Sequence, residues 1–148
     1  AQAEHGPDSE AVLVTTSAEL AAAVGWPRVE LVESLDEAIA YANDYAPEHL
    51  QLHVADPEAL AARVRNAGAV FLGEETSSVV GDYYAGSNHV LPTGGLARSV
   101  GGLGLETFLK PIELVRVTRE AARTAAETAL PLARVEGLRA HGEALAAR

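Results

Sequence analysis

The sequence has no cysteine. That absence excludes disulfides, thiolate zinc sites and cysteine nucleophiles together. It fits a reducing compartment, and a cytoplasmic location is the expectation. Methionine is also absent, position 1 included, as trimming or fragmentation would leave it. Aromatic residues are scarce, with one Trp, two Phe and four Tyr. The core must therefore come from small aliphatic side chains packed closely. Positive charge is in short supply: 11 basic residues face 21 acidic ones, for a net charge of −10. Such a surface repels phosphate backbones, so no nucleic-acid partner is expected, and the charge reads as solubility. No apolar run reaches the roughly 18 residues of a membrane span, so no membrane partner is expected. The start of the chain has no basic stretch followed by an apolar one, so no signal peptide is expected. Several catalytic motifs are missing too. Gly101, Gly102 and Gly104 lack the third glycine of a G-x-G-x-x-G. There is no Walker sequence, no G-x-S-x-G elbow and no H-E-x-x-H.

What remains alternates strand and helix patterns. The β-rich "AVLVTTS" is followed by "SAELAAAVG", with Ser17 as N-cap, Leu20 and Val24 on one face and Gly25 as the stop. "RVELVES" predicts a second strand. In "SLDEAIAYANDYAP", Ser34 and Glu37 have capping-box spacing and the helix must end before Pro47. "HLQLHV" alternates as a strand does. "DPEALAARVRNAG" predicts a helix capped by Asp56, with Pro57 first and Gly68 after its end, and "AVFLG" a buried strand. This order predicts an α/β fold with a largely parallel sheet. From Thr76 the pattern weakens into a Gly- and Ser-rich loop after a short helical turn. "FLKPIELVRVT" predicts a strand. Residues 119–148 predict helix with breaks near Pro131 and Gly137, and a stripe of Ala121, Ala125, Thr128, Leu132 and Val135 suited to packing on another surface. The expected division is 1–117, an α/β domain with most of the site, and 118–148, a helical tail.

Four stretches carry ligand-capable groups. Gln2 and His5 lie at i, i+3, about 60° apart on a helix, and can aim at one point. A solvated terminus is the plainer reading of the pair alone. Glu48 and His49 follow Pro47, which makes a rigid turn into a strand. Such a pair can activate water and carry a proton near neutral pH, or can simply be a polar loop. "GDYYAGSNHVLPTGG" sets Asp82, Asn88 and His89 among glycines, as suits close backbone approach to a ligand, or a turn-rich connector. Glu136 and His141 are five apart, about 140° on a straight helix. Either Gly137 breaks the helix, or they touch different parts of a site, or they are surface residues.

Taken in order, "AQAEHG", "PEHLQL", "GDYYAGSNHVLPTGG" and "EGLRAHGEAL" resemble the histidinol dehydrogenase family. The resemblance runs through the whole chain and covers the C-terminal portion of the family sequence. It implies an incomplete Rossmann-like unit followed by a helical dimerisation tail. It also implies that the segment containing Gln2 and His5 lies in mid-chain, so that this beginning is a truncation. Family members oxidise L-histidinol to L-histidine in two NAD-linked steps with bound zinc. By the resemblance, the zinc ligands are Gln2, His5, Asp82 and His141. Glu48 activates water, His49 is the general base, and His89 and Glu136 bind substrate together with the other six. It also implies a homodimer in which the tail, with Glu136 and His141, completes the partner's site. The NAD-binding region has no matching residues here, so this chain alone is expected to be inactive. The alternatives are a non-catalytic metal-binding or dimerisation fragment, and a metal hydrolase with Glu48 as base.

Overall fold

The structure is a computed structural model that describes residues 6–147. The expected ligands Gln2 and His5 lie outside the described residues. The chain forms two compact units, one ending at Leu109 and one beginning at Lys110.

The first unit is mixed α/β with small parallel sheets. Strand β1 (Leu13–Thr15) leads through helix α1 (Ala18–Val24) to β2 (Val29–Leu31), which pairs parallel to β1 with Leu13 opposite Val29. The expected punctuation is present: the Ser17 hydroxyl accepts from the Leu20 N–H at 3.1 Å, and Gly25 turns left-handed at φ 58°. Helix α2 (Leu35–Tyr45) is capped by Ser34, whose hydroxyl accepts from the Glu37 N–H. The Glu37 carboxylate reaches back to the Glu33 N–H at 2.9 Å, one residue beyond the position a strict capping box uses. The helix ends at Ala46 (φ 54°), ahead of Pro47 as the sequence predicts.

Strand β3 (His49–Leu52), helix α3 (Pro57–Ala61) and strand β4 (Ala69–Leu72) make a second parallel pair, with His49 opposite Ala69 and Leu52 opposite Leu72. Helix α4 (Ser78–Tyr83) follows, then a long loop with 3₁₀ turns at Leu96–Arg98 and Leu105–Phe108. The core is small and aliphatic. Ile39, Leu52 and Leu60 are buried, with Leu50, Val54, Ala61, Val64, Val70 and Leu72 packed on them. Removing the side chains of Ile39, Leu52 and Leu60 from water is worth roughly 1.5–3 kcal/mol each.

The helix expected up to Gly68 stops at Ala61. Asn43, buried in α2, is the cause. Its side-chain amide donates to the Arg63 carbonyl, and its side-chain oxygen accepts from the N–H groups of Arg65 and Asn66. Those backbone groups are then unavailable to a helical ladder.

The strand expected over "FLKPIELVRVT", which begins two residues before the second unit, does not form. Residues 108–118 are exposed along their length, Leu114 to 94%. A strand needs a hydrogen-bonded neighbour, and no described strand pairs with this segment. Pro111 further removes one ladder donor. Helix α5 (Arg119–Val135) is capped by Thr118 and runs through Pro131 unbroken. It ends at Gly137 (φ 70°), and α6 (Arg139–Ala146) packs against it. The more protected residues of α5 are Ala122, Ala126, Ala129, Leu130 and Ala133. The stripe expected to pack, Ala121 to Val135, is the exposed one.

Candidate functional site

Strand alternation divides the β3–β4 sheet into two faces. Leu50, Leu52, Val70 and Leu72 face the aliphatic core. The alternate positions His49 and Phe71 are thereby set on the opposite face, diagonal to one another across the parallel register. Ala69, directly opposite His49, is small enough to let the imidazole lean over the phenyl ring. The two rings stack with centroids 5.8 Å apart and planes 22° from parallel.

Helix α4 closes this face. Gly81 is buried, and a Cβ built there would sit 2.6 Å from Phe71 Cε1 and 2.9 Å from Cζ. Only the missing side chain lets the helix lie on the ring. The Ser87 hydroxyl donates to the Gly81 carbonyl at 3.1 Å and ties the following loop to the helix end. The next residue along α4 is Asp82, placed in the last helical turn and not in the loop proper. Its Oδ1 stands 3.8 Å from His49 Nε2, with both side chains about a third exposed, 32% and 31%. That separation is ion-pair range but too long for a hydrogen bond. His49 Nε2 is consequently a buried polar atom without a hydrogen-bond partner among the described residues. A ring nitrogen kept from water and not spent on the protein suits proton transfer to a bound molecule.

Glu48 is held by its backbone. Its carbonyl accepts from the Ala69 N–H at 2.9 Å, and the Pro47 carbonyl accepts from the Gly68 N–H. A Cβ at Gly68 would lie 2.6 Å from the Glu48 carbonyl oxygen, 3.1 Å from Pro92 Cδ and 3.2 Å from Leu91 Cβ. Gly68 is thus where the turn bearing Glu48 and the loop bearing His89 meet. His89 itself is exposed, next to Asn88, whose side-chain oxygen accepts from the Val90 N–H at 2.7 Å.

In the helical unit, Glu136 closes α5 and His141 lies on α6, both exposed. Gly137 does break the helix between them. The Leu138 N–H returns to the Ala133 carbonyl and the Gly137 N–H to that of Arg134, the hydrogen-bond pair of a Schellman motif.

Among the described residues, no three His, Asp or Glu side chains gather as a metal site. Two of the four expected ligands fall outside those residues. The described residues suit the role chemically. Among the described residues Asp82 has one ion-pair neighbour, His49, and its carboxylate is otherwise uncommitted. His141 is exposed. Carboxylate oxygen and imidazole nitrogen are donors zinc accepts.

Phe71, Gly81, Gly68 and Asn43 were not singled out by their chemistry. The alternation within "AVFLG" is the one sequence signal that could have found Phe71, since it separates that ring from Val70 and Leu72.

An α/β unit presenting a histidine and a carboxylate on one sheet face is the class of scaffold that supports proton-transfer chemistry. Comparison with known proteins narrows the class. The family model for histidinol dehydrogenase matches residues 25–148. Histidinol dehydrogenase of Leifsonia xyli is 52% identical over 120 residues, covering 81% of this chain and 28% of that protein. That of Thermus thermophilus is 45% identical over 166 residues, covering 98% of this chain and 40% of that protein. The crystal structure of histidinol dehydrogenase from Elizabethkingia anophelis superposes with a TM-score of 0.81 at 32% identity, covering 98% of this chain and 38% of that one. The chain belongs to the histidinol dehydrogenase family of oxidoreductases, and spans well under half the length of these relatives.

Proposed function

We propose that this chain supplies the acid–base groups and part of the zinc site of an enzyme that oxidises L-histidinol to L-histidine with NAD. The observation that carries the reading is His49 Nε2, buried and without a hydrogen-bond partner among the described residues, 3.8 Å from Asp82, in a chain of this family. The two parallel β-α-β units support reading the first unit as part of a Rossmann-like sheet. The exposed stripe on α5 supports a dimerisation tail, with Glu136 and His141 completing the site of a second copy. A cysteine-free sequence, with no helix among the described residues long and apolar enough to cross a membrane, agrees with a cytoplasmic setting.

In this reading His49 takes the hydroxyl proton of the alcohol as hydride leaves the carbon, which yields the aldehyde. Glu48 then takes a proton from water as its oxygen adds to that aldehyde. That addition leaves the hydrate as its mono-anion. Loss of a second hydride from it gives the carboxylic acid, whose proton passes to His49, which has by then released the first proton to solvent, leaving the carboxylate. Gln2, His5, Asp82 and His141 would hold zinc, which would orient the substrate's imidazole and amine, and NAD, held beyond the residues matched here, would supply the hydride acceptor. Glu136 and His89 hold the substrate.

The test is NADH formation from histidinol in the intact enzyme. His49→Asn is expected to slow turnover by about 100-fold or more with zinc retained. Glu48→Gln is expected to slow oxidation of the aldehyde more than that of the alcohol. Loss of zinc in the first variant, or equal slowing of both steps in the second, overturns the roles assigned. The chain by itself is expected to form no NADH.

A further inference from the structure

Between the candidate base and the helix that carries its carboxylate neighbour lies one aromatic ring. Phe71 is 7% exposed. One side of its ring is stacked under the His49 imidazole at 5.8 Å, and Gly81 of α4 rests on its edge, where a methyl would overlap Cε1 and Cζ. The Phe71 position therefore sets the plane of the imidazole, and Gly81 is what lets α4 rest against that ring. The His49 ring has no hydrogen bond at Nε2 among the described residues to orient it. The stack on Phe71 bears directly on the ring plane. An offset stack of two flat rings favours one ring orientation over others.

We propose that Phe71 is a positioning residue for His49, and that Gly81 is the gap that admits its ring. The proposal rests on the reading of His49 as the base. A base displaced by about 1 Å can lose on the order of 100-fold in rate without any change in its chemistry. Leucine at position 71 keeps an apolar filling and loses the flat surface. Alanine at position 81 keeps the phenyl ring and forces it aside.

The experiment measures kcat, KM for histidinol and zinc content in the intact enzyme. Phe71→Leu and Gly81→Ala are each expected to lower kcat by about 10- to 100-fold, with KM and zinc unchanged. In a His49→Asn background neither is expected to lower kcat further, because both act through that ring. Leu60→Ala, in the core on the other face of the sheet, is expected to lower the melting temperature while kcat per folded molecule stays the same. Equal losses with and without His49, or a matching kcat loss in Leu60→Ala, would make Phe71 a packing residue only and overturn the proposal. Unchanged kcat in both variants does the same. Should Phe71→Leu not fold, Gly81→Ala carries the test. If His49→Asn itself turns over normally, the base assignment falls first, a result distinct from failure of the positioning effect alone.

Discussion

At the scale of single residues, the parts that chemistry singles out and the parts that hold the structure are different residues. Glu48, His49, Asp82 and His89 are conspicuous in the sequence because their groups can ligate or move protons. Asn43 is not conspicuous, yet it is buried and bonds the backbone of Arg63, Arg65 and Asn66, while its own carbonyl accepts from the Asn66 side chain at 2.8 Å. Asn43→Ala orphans those groups and should cost about 2–4 kcal/mol, measured by urea unfolding. A loss below 0.5 kcal/mol, which is about the size of a surface change, would mean that water replaces the amide. A second device lies two residues further along α2, at Tyr45. Tyr45 donates to Glu10 at 2.6 Å, and Arg28 binds the same carboxylate at 2.5 Å. The hydrogen bond to Glu10, and then burial, push the Tyr45 phenol up from 10.0 to about 12. Its folded value is the higher one, so its contribution is full below about pH 10 and lost as pH rises toward 12. Tyr45→Phe should therefore lose stability at neutral pH and flatten the decline between pH 10 and 12. An identical alkaline decline in both proteins would remove Tyr45 from that transition.

At the scale of elements, most starts and stops were legible because they are local. Ser17, Ser34 and Asp56 cap helices through bonds that span three residues, and the helices stop at a left-handed Gly25 and just ahead of Pro47. Two misreadings have a common cause in distant partners. Helix α3 ends early because Asn43, some 20 residues earlier, takes its next backbone groups. The segment 108–118 has strand composition but no neighbour among the described strands to pair with. Periodicity states which face a strand buries, not whether a partner exists. The turn at Gly137 is local again, and testable as such. Gly137→Ala places a Cβ at φ 70° and should cost about 1–2 kcal/mol of helical-unit stability, seen as a lower melting temperature of the helical circular dichroism signal. A neutral substitution would mean that the α5–α6 turn can rearrange.

At the scale of the whole molecule, the α/β class and its parallel pairing were readable from the alternation of elements. The grouping of the four described strands into two separate pairs was not, since nothing in a strand's own residues names its neighbour. Of the expected site, the sequence placed the two residues the structure brings together, His49 and Asp82, through their motifs. The ring and the glycine between them follow from packing and left no motif. Apolar side chains at Ile112, Leu114 and Val115 stand exposed beside an otherwise acidic composition. The chain by itself should therefore bind a hydrophobic dye, and serine at Leu114 and Val115 should weaken that signal. An undiminished signal would put the sticky surface elsewhere.

The central claim concerns zinc, and the direct measurement is anomalous diffraction at the zinc edge from crystals of the intact enzyme with histidinol bound. The expected result is one ion held by the side chains of Gln2, His5 and Asp82 and by a His141 from a second copy, with substrate nitrogen completing the shell. An ion bound away from Asp82, or one that His141 never approaches, contradicts the account.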